Sequence, residues 1–223
     1  MRSRLVAAAA STVLLSLLTA CGGSDDDSSA TDPATSDAPA KQEAPAPADG
    51  TCAYQAADEP GKNAELPPAQ PVGAEAVTIK TNRGTITATL TPQTAPCTVN
   101  SFAALIEQGY FDGTKCHRLV PGFVLQCGDP SATGSGGPGY SFADELTGEE
   151  TYPAGTLAMA NAGPDTNGSQ FFIVLADADL PPSYTVFGEV DAAGLKIAQE
   201  IEQDGNGPDG VAPAEDVVLE SVS

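Results

Sequence analysis

From Ala76 onward the chain is patterned for sheet. Apolar and polar residues alternate through Ala76–Thr81 and again through Thr85–Thr91, on either side of Asn82-Arg83-Gly84. A period of two with a turn between is the pattern of a β-hairpin. The period then changes: over 96–108, Val99, Phe102, Leu105 and Ile106 share one face and Gly109 follows, which predicts an amphipathic helix with a glycine stop. Further strands are predicted over 116–120, 124–128, 156–160, 171–176, 185–190 and 216–222, and a second helix over 192–203. Many short strands, two helices and abundant Gly and Pro in the joins predict a mainly β fold, a closed or nearly closed antiparallel barrel with helices over its ends. The stretch 75–223 suits one domain with a sizeable core, and no internal repeat is evident.

The first fifty residues carry neither pattern. Arg2 and Arg4 precede an apolar run, Leu5 to Leu18, and Leu18-Thr19-Ala20 leads into Cys21. Residues 1–20 therefore read as a secretory signal peptide. The run stops well short of the roughly 20 apolar residues a spanning helix needs. Leu-Thr-Ala-Cys also resembles the lipobox of bacterial lipoproteins, in which the cysteine carries diacylglycerol. That resemblance implies a membrane anchor at Cys21 and a protein held at the extracytoplasmic face of the cell membrane. Residues 21–50, rich in Ala, Pro, Ser and Asp, cannot bury enough surface to offset their ordering entropy, and read as an acidic tether. Residues 51–74 form an extension ahead of the domain, and Cys52 is expected to pin it there.

Charge narrows the choice of partners. The chain holds 30 acidic and 9 basic residues; loss of Arg2 and Arg4 with the leader moves the net charge from −21 to −23. Nucleic acid and a bare anionic lipid surface are poor partners for such a chain. With Cys21 assigned to the anchor, Cys52, Cys97, Cys116 and Cys127 remain, an even number that suggests two disulfides in an exported protein. Sequence alone selects none of the three connectivities. A metal site is not expected, because the cysteines lack paired close spacings and His117 is the only histidine.

Hydrolytic chemistry finds no support either. No serine lies in Gly-x-Ser-x-Gly, no carboxylate motif stands ready to orient His117, and Gly134-Ser135-Gly136-Gly137-Pro138-Gly139 lacks the Gly-Lys-Ser/Thr ending of a phosphate loop. Three other blocks stand out. These are His117-Arg118-Leu119-Val120-Pro121-Gly122-Phe123-Val124-Leu125-Gln126, Met159-Ala160-Asn161-Ala162-Gly163 and Asn167-Gly168-Ser169-Gln170-Phe171-Phe172.

These blocks, with Val186-Phe187-Gly188 after them, resemble those of the cyclophilin-type peptidyl-prolyl isomerases, nearly collinearly over Ala76 to Val222. The resemblance implies a closed eight-stranded antiparallel barrel capped by two α-helices, with a substrate groove on its outside. Matched position by position, it makes Arg118 the catalytic arginine and Phe123, Phe172 and Leu180 the proline pocket. Gln126 and Gln170 match the site's glutamines, Ala160 and Asn161 the residues that take the substrate backbone, and Gly134 the loop glycine beside the groove. Three positions depart from the pattern. Val124 stands where many members have Met, Tyr184 where the family has a histidine, and Asp179 where many carry the tryptophan that supports cyclosporin binding, so the resemblance leaves cyclosporin sensitivity open.

The implied reaction suits these residue types. Rotation about an X-Pro bond is opposed by a barrier of about 18–20 kcal/mol, because the nitrogen lone pair is delocalised into the carbonyl. Lowering it requires neither nucleophile nor cofactor, only a site that fits the twisted amide better than either planar form. A guanidinium near the prolyl nitrogen could donate to the lone pair as conjugation is lost, and arginine stays charged throughout. The expected substrates are proline-containing unfolded or partly folded exported polypeptides, bound by a monomer. The alternative is a proline-peptide binding module or chaperone that uses the same groove without turnover.

Overall fold

The computed structural model describes residues 50–58 and 61–223. The expected leader at 1–20, the expected anchor at Cys21 and the expected tether, but for its last residue Gly50, lie outside the described residues. Among the described residues no helix is long and apolar enough to cross a membrane.

Among the described residues ten strands and two helices follow in the order β1 (Tyr54–Ala56), β2 (Ala76–Thr81), β3 (Gly84–Leu90), α1 (Pro96–Glu107), β4 (Arg118–Val120), β5 (Val124–Cys127), β6 (Tyr140–Phe142), β7 (Thr156–Met159), β8 (Phe171–Val174), β9 (Val186–Val190), α2 (Ala192–Gln203) and β10 (Leu219–Val222). Eight strands form one antiparallel sheet in the order β10-β2-β3-β9-β7-β8-β5-β4, and β1 pairs separately with β6. The hairpin forms as its alternation predicts, with Thr81 paired to Gly84 across the two-residue turn and every second side chain of β2 and β3 buried.

The sheet is a curled half-barrel, so "closed" overstates it. Its edges, β10 and β4, are joined only by isolated bonds just before β4, such as Cys116 N–H to the Val217 carbonyl (2.9 Å) and the Lys115–Val218 bridge. Beside β4 itself a loop takes the place of a partner strand. The Leu119 N–H donates to Val211 O (2.8 Å), and the Asn206 side-chain amide donates to Leu119 O (2.8 Å). The backbone groups of this edge are satisfied without completing the ladder.

Inside the curl, Phe102 of α1 packs on Phe111, Phe171 and Phe187, with ring centroids 5.0–5.4 Å apart. The start of α1 lacks a side-chain cap on Ala95; the Glu145 carboxylate instead accepts the N–H groups of Cys97 and Thr98. That places negative charge where free helix N–H groups point. α2 is capped locally, Asp191 accepting from the Gly194 N–H. Cys52 is bonded to Cys97, and Cys116 to Cys127.

Candidate functional site

Register decides which residues meet outside the sheet. Arg118 pairs with Gln126, Gln126 with Phe172, and Phe172 with Ala158, one row across β4, β5, β8 and β7. Residues directly opposite in a ladder share a face. One residue along, Leu119, Leu125, Ile173 and Leu157 form the next row, on the opposite face and in the main core. Phe172 is thus buried without belonging to the barrel interior: it joins Val124, Tyr152, Ala158 and Val174 in a smaller outer cluster that Phe123, Ala160, Leu180 and Tyr184 flank. Burial on both faces explains why β7 and β8 show no alternation, each of their residues being buried.

Over this outer cluster lies a cleft of about 220 Å³ lined by Arg118, Phe123, Val124, Gln126, Ala160, Asn161, Phe172, Leu180 and Tyr184. Nine of the eleven residues matched from sequence therefore line one concavity. The other two, Gly134 and Gln170, line an adjacent hollow of about 130 Å³ that shares Gln126, Ala160 and Asn161 with the cleft. A hydrogen-bond relay joins the two. The Arg118 guanidinium donates to Gln126 Oε1 (3.1 Å), and Gln126 Nε2 donates to Gln170 Oε1 (2.8 Å). Gln170 Nε2 in turn donates to the carbonyls of Gly134 (3.1 Å) and Gly136 (2.9 Å). Among the described residues Arg118 forms no ion pair, despite the acidity of the chain. Its partner is a neutral amide, which orients the guanidinium without neutralising it.

The far wall is fixed by backbone and ring contacts. Tyr184 meets Phe172 edge to face, centroids 5.5 Å apart, and its N–H and C=O both bond the hydroxyl of buried Tyr152 (3.1 and 3.0 Å). Asn161 Nδ2 donates to Ser183 O (2.8 Å), which ties the two segments that flank the cleft. Among the described residues that line the cleft there is no carboxylate, imidazole or thiol. The arrangement can hold an apolar ring and present a cation to a lone pair; it has no side chain suited to general acid–base exchange near neutral pH.

The profile of the family described as cyclophilin type peptidyl-prolyl cis-trans isomerase/CLD matches residues 76–223. The chain belongs to the cyclophilin family. Over 193 residues this cyclophilin is 46% identical to a Mycobacterium leprae protein named probable peptidyl-prolyl cis-trans isomerase B, covering 77% of the chain and 65% of the relative. It is 49% identical over 164 residues to the Mycobacterium tuberculosis protein of the same name, covering 66% of the chain and 53% of the relative. The cyclophilin thus spans about two thirds and about half of the length of these relatives. A crystal structure of a Cryptosporidium parvum cyclophilin type peptidyl-prolyl cis-trans isomerase aligns with a TM-score of 0.61 at 33% identity, over 66% of this chain and 95% of that one.

Two residues of the cyclophilin site escaped sequence reasoning. Tyr152 is one; Asp129 is the other. Fully buried, the Asp129 carboxylate accepts the N–H groups of Ser131, Thr133, Gly134 and Gly136 and the Ser131 hydroxyl, and so shapes the glycine-rich loop. An aspartate ahead of a Ser/Thr/Gly run is the available signal. Burial alone would raise its pKa, but the hydrogen bonds from Ser131, Gly136 and Gly134 outweigh burial and hold it below the usual value. His117 sits beside this loop, buried, with its pKa lowered by burial first and by the Arg118 cation; the Asp129 carboxylate opposes the shift. Gln170 lies close to the ring, but neither ring nitrogen makes a hydrogen bond of acceptable geometry among the described residues. Among the described residues no group of three or more His, Cys, Asp or Glu could hold a metal ion.

Both shifts set the sign of one pH dependence. A pKa lower in the folded than in the unfolded state means that the unfolded chain binds the extra proton first, so stability falls as pH falls. For His117 the loss begins below about pH 6.5, and for Asp129 below about pH 4. Thermal unfolding across a pH series should therefore show two declining steps. His117→Phe is expected to remove the upper one and leave the lower. A wild-type midpoint that rises as pH falls from 7 to 5 would contradict this assignment.

Proposed function

We propose that this cyclophilin catalyses cis–trans exchange of X-Pro bonds in polypeptides. The observation that carries the proposal is the pairing of Arg118, oriented by Gln126 and free of ion pairs among the described residues, with an apolar cleft formed by Phe123, Val124, Phe172 and Leu180. A prolyl ring in the cleft brings its nitrogen toward the guanidinium. Donation to the lone pair then favours the pyramidal, unconjugated amide over either planar form. A related Cryptosporidium parvum cyclophilin was crystallised in the presence of the dipeptide Ala-Pro, a ligand of the class this reading requires. The test is exchange in a short Ala-Pro peptide with the purified protein; no acceleration over the spontaneous rate would end the proposal.

The proposal extends to where the protein works. A leader over 1–20, a lipid-linked Cys21 and an acidic tether to residue 50 would place the isomerase outside the cell membrane, where exported chains fold and form disulfides. Mass spectrometry of the mature N-terminus tests this: a diacylglyceryl cysteine at position 21 is expected, and an unmodified Cys21 or an intact Met1 would refute it.

A further inference from the structure

The family match begins at residue 76, yet the segment before it is bonded to the glycine-rich loop that lines the hollow beside the cleft. Strand β1 pairs with β6 immediately after the glycine-rich loop, and Tyr54 stacks edge-on against Tyr140 and Phe142. The Ala57 N–H donates to Gly139 O and the Ala64 N–H to Pro138 O, both at 2.9 Å, while Gly61 bridges Gly137. Contact at Gly61 is close. A Cβ there would stand 2.8 Å from Pro130 Cγ and 3.3 Å from Gly137 O, and its φ of +133° suits glycine. The other end of the extension is locked on α1, by Cys52–Cys97 and by the Val72 N–H donating to Asn100 Oδ1 (2.8 Å).

We propose that residues 51–58 and 61–74 are a working part of the isomerase site: they brace the loop Gly134–Gly139 so that Gln170, Gln126 and Arg118 stay aligned. The inference rests on the isomerase reading above. The loop is gripped from two sides, by Asp129 within and by Ala57, Gly61 and Ala64 without. Its carbonyls at Gly134 and Gly136 are the acceptors that hold the Gln170 amide, at the far end of the relay to Arg118. Freeing the outer grip lets these carbonyls move, and the guanidinium loses its fixed direction. Residues of the extension touch no reacting atom; they are positioning residues.

The test uses the full chain carrying Gly61→Val and Ala64→Pro, the first a wedge against Pro130 and Gly137, the second the loss of one donor. Three quantities are read at a temperature where circular dichroism shows the variant folded: hydrogen exchange at Gly134 to Gly137, the Arg118 side-chain N–H resonance, and the rate constants on an Ala-Pro peptide. Faster loop exchange, a shifted Arg118 resonance and a loss of about tenfold in kcat with little change in KM are expected, because the ring-binding cleft is left intact. Unchanged loop exchange overturns the proposal, and so does a freed loop with kcat within about twofold of wild type. Should the variant not fold, Cys52→Ser with Cys97→Ser releases the extension from its other end and is read by the same criteria. An inactive wild type would refute the isomerase reading alone, since loop exchange still reports on the brace.

Discussion

Arg118→Ala is expected to lower kcat/KM for Ala-Pro exchange by about 10²–10³-fold, the effect of deleting one preorganised donor aimed at developing charge. The folded structure should hardly notice. Arg118 is half-buried on an edge strand and its hydrogen bond is to a neutral amide, so stability should stay within about 0.5–1 kcal/mol of wild type. Arg118→Lys is expected to restore little: a lysine ammonium is a compact, strongly hydrated charge without the planar fork that can hold Gln126 and still face the cleft. Gln126→Ala, which keeps the cation and removes its orientation, should fall between, at about tenfold. Exchange assays beside unfolding curves decide the matter; an Arg118→Ala protein with wild-type kcat/KM would show that the cleft binds proline without using the cation.

Gly128→Ala is expected to be the most damaging small substitution near the site. Gly128 follows β5 with φ of +88°, where an L side chain is strained, and a Cβ would lie 2.2 Å from Ser169 O and 3.1 Å from Gln170 Cα. Both obstacles are backbone, so no side-chain rotation relieves them. The strain of the positive φ costs about 1–3 kcal/mol, and moving two backbones apart adds to it, for a total of about 4 kcal/mol or more. The Ser169 hydroxyl donates to Gly128 O (2.7 Å), so the same displacement breaks a buried bond next to Gln170. Gly134→Ala is a useful contrast: its φ is also positive, at +85°, but its Cβ would meet only the His117 ring at 3.9 Å, and a cost of about 1 kcal/mol is expected. Denaturant unfolding of the two variants side by side tests the difference. Equal midpoints would mean that the strands part more readily at Gly128 than close backbone contact allows.

The hairpin and both helices could be read from period, and the six remaining strands of the large sheet from alternation or short apolar runs bounded by Gly and Pro. Strands β1 and β6 could not. At three residues each they are too short to show a period, and they exist because they find each other across the sequence. The outward position of Phe172 was equally hidden: in a strand buried on both faces, hydrophobicity does not say which face is which, and only the ladder with Gln126 does. Matching blocks brought Arg118, Gln126, Asn161 and Tyr184 forward, and all four line one cleft. Asp129 was missed because its partners are mostly backbone amides, and its only trace in sequence is an aspartate ahead of a Ser/Thr/Gly run, a signal common to many loops. The expected closure failed at Leu119, where the loop carrying Val211 takes the hydrogen bond that a neighbouring strand would have made.

The alternating rows across β4, β5, β7 and β8 make the cleft separable from the barrel. Val124, Ala158, Phe172 and Val174 face outward into the small cluster, whereas Leu125, Leu157 and Ile173, one residue away, fill the interior. A library confined to the outward set would remodel the depth and shape of the proline pocket on an unchanged scaffold, so selectivity for the residue it accepts can be engineered without rebuilding the core.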